Sequence, residues 1–191
     1  IVRRTYLDLN APDGPGDCLV VGVVDDVEAG LLSARGLRVT KADLYPRKRS
    51  TIKLDLTCPP GNMHGTFDVV VVFDVLEHIP DDYAAARGLH ALLREGGTAL
   101  VHVPGGDINA PLNDVDRKHG HARHGYTEDQ AKNVVLSLPW KDVRYMKTFN
   151  EIEMSAYHLA GGGQVEEAIK LLRTSPFDGT SGQAHLFVLR K

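Results

Sequence analysis

Apolar positions in this chain come in short unbroken runs separated by turn residues. The clearest lies in residues 67–79, FDVVVVFDVLEHI, where five apolar residues stand between Asp68 and Asp74. A run this short and rich in β-branched residues reads as a strand buried on both faces, hence an interior strand of a parallel sheet. Comparable runs predict strands at residues 18–22, 38–44, 51–56, 98–104 and 184–189, and a long sixth strand over 142 to about 155. Helical spacing falls between them. Residues 28–35 form a helix with Gly36 as its C-cap, and residues 82–93 place Tyr83, Ala86, Leu89, Leu92 and Leu93 on one face. Thr127 and Gln130 have the spacing of a capping box, starting a helix that runs to about Leu138. A short amphipathic helix spans residues 164–173, after a flexible glycine-rich connection at 160–163.

Strands alternating with helices predict an α/β architecture, a mostly parallel seven-stranded sheet with helices on both faces. The last strand has no ordinary crossover before it and is expected to run antiparallel. In open sheets of this kind ligands bind beyond the carboxyl ends of the strands. Asp43, Asp74, Leu76, Glu77 and His78 therefore stand where a site belongs.

The totals narrow the classes. The 191 residues suit one domain, taken as 1–191, with a full core. A net charge of -3 gives no general attraction to nucleic acid or to anionic membranes. No apolar run approaches the ~20 residues of a membrane span, and no signal peptide is read at the start. Two cysteines, Cys18 and Cys58, fall in different elements, so a reducing, cytoplasmic setting is expected rather than a disulfide.

Candidate chemistry is weighed against plainer roles. Asp43 is a strand-end ligand or a solvated acid, and Asp55 is a ligand or a turn residue. Glu77 lines the site or complements the N-terminus of the next helix. His78 is a general base or a partly buried histidine. The long polar loop 105–125 holds Asp107, Asp114, Asp116, His119, His121 and His124. It reads as a lid, with His119, His121 or His124 touching an acceptor. His119-x-His121 lacks a third fixed ligand, so no metal is expected.

The order and spacing of several segments resemble class I S-adenosylmethionine-dependent methyltransferases of the small-molecule type. These segments are residues 39–44, Asp55-Leu56-Thr57 followed by residues 67–70, the Asp-Val-Leu-Glu-His of 74–78, the Leu-Arg-Glu-Gly-Gly of 93–97 and the HARHGYT of 121–127. The resemblance implies a Rossmann-like three-layer sandwich, S-adenosylmethionine as cofactor and a small-molecule acceptor with an O, N or C nucleophile. It implies that Gly22 opens the cofactor turn and that Asp43 accepts from the ribose hydroxyls. Leu44 would pack on adenine, and Asp55 and Leu56 would meet its edge. The Phe73 carbonyl and Asp74 would hold the methionine amino group, with Leu76 beside it. His78 or His124 would take the acceptor's proton. The resemblance also implies an N-terminal helix over the cofactor, for which the lead-in is short.

One departure stands out. Where the family carries G-x-G-x-G, this chain has Gly22-Val23-Val24-Asp25-Asp26, with only the first glycine. Its aspartates would also oppose the cofactor carboxylate. A non-catalytic methyltransferase-like scaffold is therefore the alternative reading. A nucleotide-binding oxidoreductase shares the strand-end acid but is opposed by the absence of G-x-G-x-x-G at the first turn.

Overall fold

The computed structural model describes residues 6–8, 10–23, 26–174, 179 and 182–191. Seven strands form one sheet: β1 (Gly16–Val21), β2 (Leu37–Asp43), β3 (Thr51–Lys53), β4 (Phe67–Phe73), β5 (Leu93–Val103), β6 (Asp142–Thr148) and β7 (Ala184–Arg190). Their order is β3-β2-β1-β4-β5-β7-β6. The first five are parallel, and β7 pairs antiparallel with both β5 and β6. They are accompanied by the helices α1 (Val27–Ala34), α2 (Asp82–Leu92), α3 (Asp114–His119), α4 (Glu128–Val135), α5 (Glu151–Gly161) and α6 (Val165–Thr174).

The unbroken apolar runs have the cause inferred for them: the sheet has a core on each face. Alternate residues Leu19, Val21, Val70, Val72, Val101 and Phe187 point to the side where Leu89 and Leu92 of α2 and Val134 and Val135 of α4 pack. The intervening Cys18, Val20, Val69, Val71, Phe73 and Leu100 meet Tyr6, Leu7 and Leu32 on the other side. Side chains alternate with a period of two, so a strand covered on both faces must be apolar at every position. Gly88 lets α2 sit against the chain that follows β3. A Cβ there would lie 1.8 Å from the Leu56 carbonyl oxygen.

Three predicted elements differ in extent or content. The sixth strand stops at Thr148, and residues 151–161 are helix. The cause is a capping box: the Asn150 side chain accepts from the N–H of Ile152 (3.1 Å) and Glu153 (2.9 Å), and Glu153 accepts from the Asn150 N–H (3.0 Å). The loop 105–125 contains α3, with Asn113 at its start and Gly120, at φ 75°, at its end. The fifth strand begins at Leu93 rather than at 98, and Glu95-Gly96-Gly97 forms an irregularity inside it, where its pairing with β4 jumps from Phe67–Leu93 to Val69–Thr98.

Candidate active site

Three neighbouring strands end level with one another. Val21 of β1 lies beside Ala42 of β2 and Val72 of β4, so the next residues, Gly22, Asp43 and Phe73, form a row across the carboxyl edge. The Gly22 N–H donates to the Ala42 carbonyl at 2.9 Å. Gly22 has φ 77°, and a Cβ on it would fall 2.3 Å from Val75 Cγ2, so only glycine makes this turn without displacing its neighbour. Asp43 is half-buried. Its Oδ1 accepts from the Tyr45 N–H (2.7 Å), which fixes the carboxylate at the strand end. Beside it Leu44 is 39% exposed, an apolar face left open next to an acceptor-only group.

Of the divergent turn after β1, Val24 and Asp25 lie outside the described residues. Asp26 carries an answer to the charge problem. Its two oxygens meet Lys41 (2.8 Å) and Lys48 (2.6 Å). Those ammonium hydrogen bonds hold its carboxyl down at about 2. Its negative charge is thus balanced locally rather than projected along the edge. Asp55 is exposed and accepts from both the N–H (2.9 Å) and the hydroxyl (2.6 Å) of Thr57, which lowers its pKa and fixes the turn. Leu56 is buried with its carbonyl toward Gly88 of α2.

After β4 the chain turns sharply. Asp74 has φ 53°, a left-handed conformation uncommon outside glycine and best tolerated by Asn and Asp. Its Oδ1 lies 2.6 Å from Nδ1 of His102, and the other ring nitrogen lies 2.9 Å from the Thr148 hydroxyl. His102 is 1% exposed, and the Tyr6 ring stacks on it at 5.5 Å. Asp74 is therefore anchored from β5 and, through Thr148, from β6. Leu76, Glu77 and His78 form a single 3-10 turn in which Leu76 and Glu77 are buried. The helix-start role open to Glu77 belongs instead to Asp81, which caps α2 by accepting from the Ala84 N–H at 2.8 Å.

The loop before α4 folds back onto this turn. The N–H groups of Ala122 (2.8 Å) and Arg123 (3.3 Å) both donate to the Glu77 carbonyl. The Arg123 guanidinium reaches Asp82 (2.6 Å), the Tyr126 hydroxyl (2.7 Å), and the carbonyls of Leu76 (3.1 Å) and Pro80 (2.9 Å). This clasp brings the loop histidines to the strand ends. His78 and His121 have ring centroids 4.6 Å apart. Asp116, buried at the start of α3, faces His121 at 3.4 Å and His124 at 2.7 Å. Burial, then the neighbouring His78, lowers the pKa of His121. Burial raises that of Asp116, but the hydrogen bonds from His124 and the Asn113 N–H outweigh it and leave it below the usual range.

Gly22, Asp43, Leu44, Phe73, Asp74 and Leu76 thus gather along the ends of β1, β2 and β4, while His78 and His124 are joined to that edge by the loop. Sequence reasoning missed His102 and Arg123, and it named Asp116 without its role beside His121 and His124. A histidine inside the apolar run Leu100-Val101-His102-Val103, at the carboxyl end of a strand, was the available signal. For Arg123 no local pattern announces partners some forty positions away in sequence.

Among the described residues, no helix is long and apolar enough to cross a membrane. A family model described as a methyltransferase domain matches residues 4–152. The ubiquinone biosynthesis O-methyltransferase of Chromobacterium violaceum is 27% identical over 110 residues, which cover 50% of this chain and 47% of that protein. The chain thus aligns with about half the length of this curated relative. The fold is similar to that of the Haemonchus contortus phosphoethanolamine N-methyltransferase 2 complex with S-adenosylhomocysteine (TM-score 0.64, 14% identity, 98% of this chain and 52% of that one). It is similar as well to a SAM-dependent methyltransferase from Archaeoglobus fulgidus (0.63, 13%, 99% and 93%). A third likeness is to the Burkholderia thailandensis 1,6-didemethyltoxoflavin N1-methyltransferase (0.56, 17%, 93% and 71%). The family match, with the strand order and the level row at the carboxyl edge, leads to one conclusion: the chain belongs to the class I S-adenosylmethionine-dependent methyltransferases.

Proposed function

We propose that this chain, acting as one domain over residues 1–191, moves a methyl group from S-adenosylmethionine to an oxygen, nitrogen or carbon of a small molecule. The observation that carries this reading is the row Asp43, Gly22 and Phe73, level across three adjacent parallel strands. When bound, the cofactor supplies an electrophilic methyl on a sulfonium. Asp43, anchored through Oδ1, offers its second oxygen to the ribose hydroxyls, and Leu44 offers its open face to adenine. Asp55 and the Leu56 backbone lie farther along the adenine side. The Phe73 carbonyl, Asp74 and Leu76 border the methionine end. Gly22 lets the backbone pass close beside the cofactor.

The likeness of a ubiquinone O-methyltransferase and of a toxoflavin N-methyltransferase supports a small-molecule acceptor. Methyl transfer needs alignment more than new bonds from the protein, so the clasped loop contributes by holding the acceptor in place. His124, oriented by Asp116 at 2.7 Å, is the proton acceptor we favour for a hydroxyl or amine. His78, the other candidate base, has its Nδ1 3.3 Å from the Gly120 carbonyl and its ring against His121. A cytoplasmic setting without nucleic acid or membrane belongs to the same reading, and both cysteines are unpaired thiols.

Calorimetric titration with S-adenosylhomocysteine tests the proposal. The native chain is expected to bind one equivalent, and Asp43→Ala to weaken binding about tenfold to a hundredfold, by loss of hydrogen bonds to a charged group. A native chain that binds none would favour the scaffold alternative. His124→Ala should lower kcat while leaving S-adenosylhomocysteine affinity unchanged.

A further inference from the structure

We propose that Glu77, His78 and His121 form a binding site for one divalent first-row transition-metal ion, of which Zn²⁺ is the probe. One ligand atom from each lies within 4.8 Å of the other two. Four ligands at about 2.1 Å around an ion stand roughly 3.4 Å apart, so small side-chain rotations close the cluster on a metal. Glu77 and His78 already approach to 4.0 Å. The expectation of no metal rested on His119-x-His121 lacking a third ligand. The structure assembles a different set, taking His121 from the loop and the other two from the turn after β4.

Three features make the cluster a built site. First, the Glu77 side chain is 2% exposed, so its carboxylate is offered to an ion with little competition from solvent. Second, the Nδ1 atom of each histidine faces a fixed group of the loop. His78 Nδ1 lies 3.3 Å from the Gly120 carbonyl, and His121 Nδ1, which makes no hydrogen bond, stands 3.4 Å from the Asp116 carboxylate. That arrangement leaves Nε2 of both rings for an ion, and a carboxylate behind a ligating imidazole is the usual support for such a ligand. Third, the two ligand-bearing segments are joined without the ion. Their joints are the Glu77 carbonyl bonds from Ala122 and Arg123 and the contact of Arg123 with Asp82.

Two imidazoles and one carboxylate suit Zn²⁺, Fe²⁺, Co²⁺ or Mn²⁺, while Mg²⁺ and Ca²⁺ prefer oxygen-rich cages. Three protein ligands leave at least one position open. On the function proposed above, and resting on it, that position takes an oxygen or nitrogen of the acceptor. The ion would then fix the acceptor's orientation at the end of β4.

The test is titration of chelator-treated protein with Zn²⁺ against a chromophoric competitor, with Co²⁺ absorption as a second readout. The native chain is expected to bind one equivalent and to give a Co²⁺ visible spectrum. His78→Asn, His121→Asn and Glu77→Gln should each weaken binding by about a hundredfold or more. Asp116→Asn should cost roughly the 10–100-fold typical of a supporting carboxylate. His119→Asn should change nothing. Circular dichroism identifies any variant that fails to fold, and the two histidine variants carry the test if Glu77→Gln does. Failure of the native chain to bind one equivalent, or binding indifferent to both His78→Asn and His121→Asn, overturns the site. S-adenosylhomocysteine calorimetry on the metal-stripped chain keeps the two proposals apart. Loss of that binding with Zn²⁺ retained defeats only the functional reading, and the reverse defeats only the metal site.

Discussion

Gly88 gives a test of how tightly helix α2 is fitted to the chain that follows β3. Gly88→Ala adds one methyl group. Its Cβ would sit 1.8 Å from the Leu56 oxygen and 3.0 Å from the Leu56 carbonyl carbon, where ordinary contact begins at 3.4 Å. The shortfall to the oxygen is 3.4 − 1.8 = 1.6 Å, and the atoms in the way are backbone. Alanine favours helix over glycine by up to about 1 kcal/mol. Overpacking a close-fitted site costs about 1–3 kcal/mol and sometimes more. Because backbone yields less readily than a side chain, we expect the upper part of that range, leaving a net loss of about 1–3 kcal/mol. At about 2–4 °C per kcal/mol for a chain of this size, Tm falls by about 2–12 °C. Gly30 in α1 is the control. A Cβ there has nothing within 4 Å, so Gly30→Ala should gain about 0.5–1 kcal/mol and raise Tm by a few degrees. Thermal melts by circular dichroism and urea titrations read both. If Gly88→Ala melts at or above the native temperature, the close approach of α2 to Leu56 is not a constraint on this fold.

Arg123→Ala should cost about 2–4 kcal/mol, somewhat under the ~3–5 typical of breaking a fully buried ion pair, since Arg123 and Asp82 are each 11% exposed. The same variant should raise the acceptor KM more than it lowers S-adenosylhomocysteine affinity. Equal loss of both would show that the clasp does not serve the loop specifically. Burial raises the Glu153 carboxyl above its ordinary 4.5. The folded state therefore holds that proton more firmly than the unfolded chain. Its stabilising contribution is complete below 4.5 and is lost as pH rises through the raised value. Glu153→Gln keeps the capping reach and removes the charge, so it should raise Tm at pH 8 with an advantage that shrinks toward pH 4. An advantage that grows on acidification would contradict that sign.

The parallel half of the fold was legible because burial on both faces writes itself into sequence as unbroken apolar runs, as in Val69-Val70-Val71-Val72. The final antiparallel strand was legible from the absence of a crossover pattern before it. The break at Phe149 was not read, although Asn150 and Glu153 carried a capping signal. The apolar and polar residues of 142–155 satisfy a strand pattern until those two side chains turn back on the backbone. At the site, residues at strand ends could be placed by topology alone, as Asp43 was. Asp55 could not be resolved, since its spacing suits both a ligand and the Thr57 turn that it makes. The convergence of His121 with Glu77 and His78 depends on how a long loop folds back through Arg123. That path is set by contacts between residues some forty positions apart, which periodicity does not encode.

The sheet order has a consequence for biosynthesis. Strand β7 follows both β5 and β6 in sequence yet wedges between them. As the polypeptide leaves the ribosome, β5 emerges with one long hydrogen-bonding margin vacant, and β6 arrives with nothing to pair against. Until residues 184–190 are released, that margin is a template for any passing extended peptide. Nascent molecules therefore run their greatest risk of sticking to one another in the interval before the closing segment is inserted.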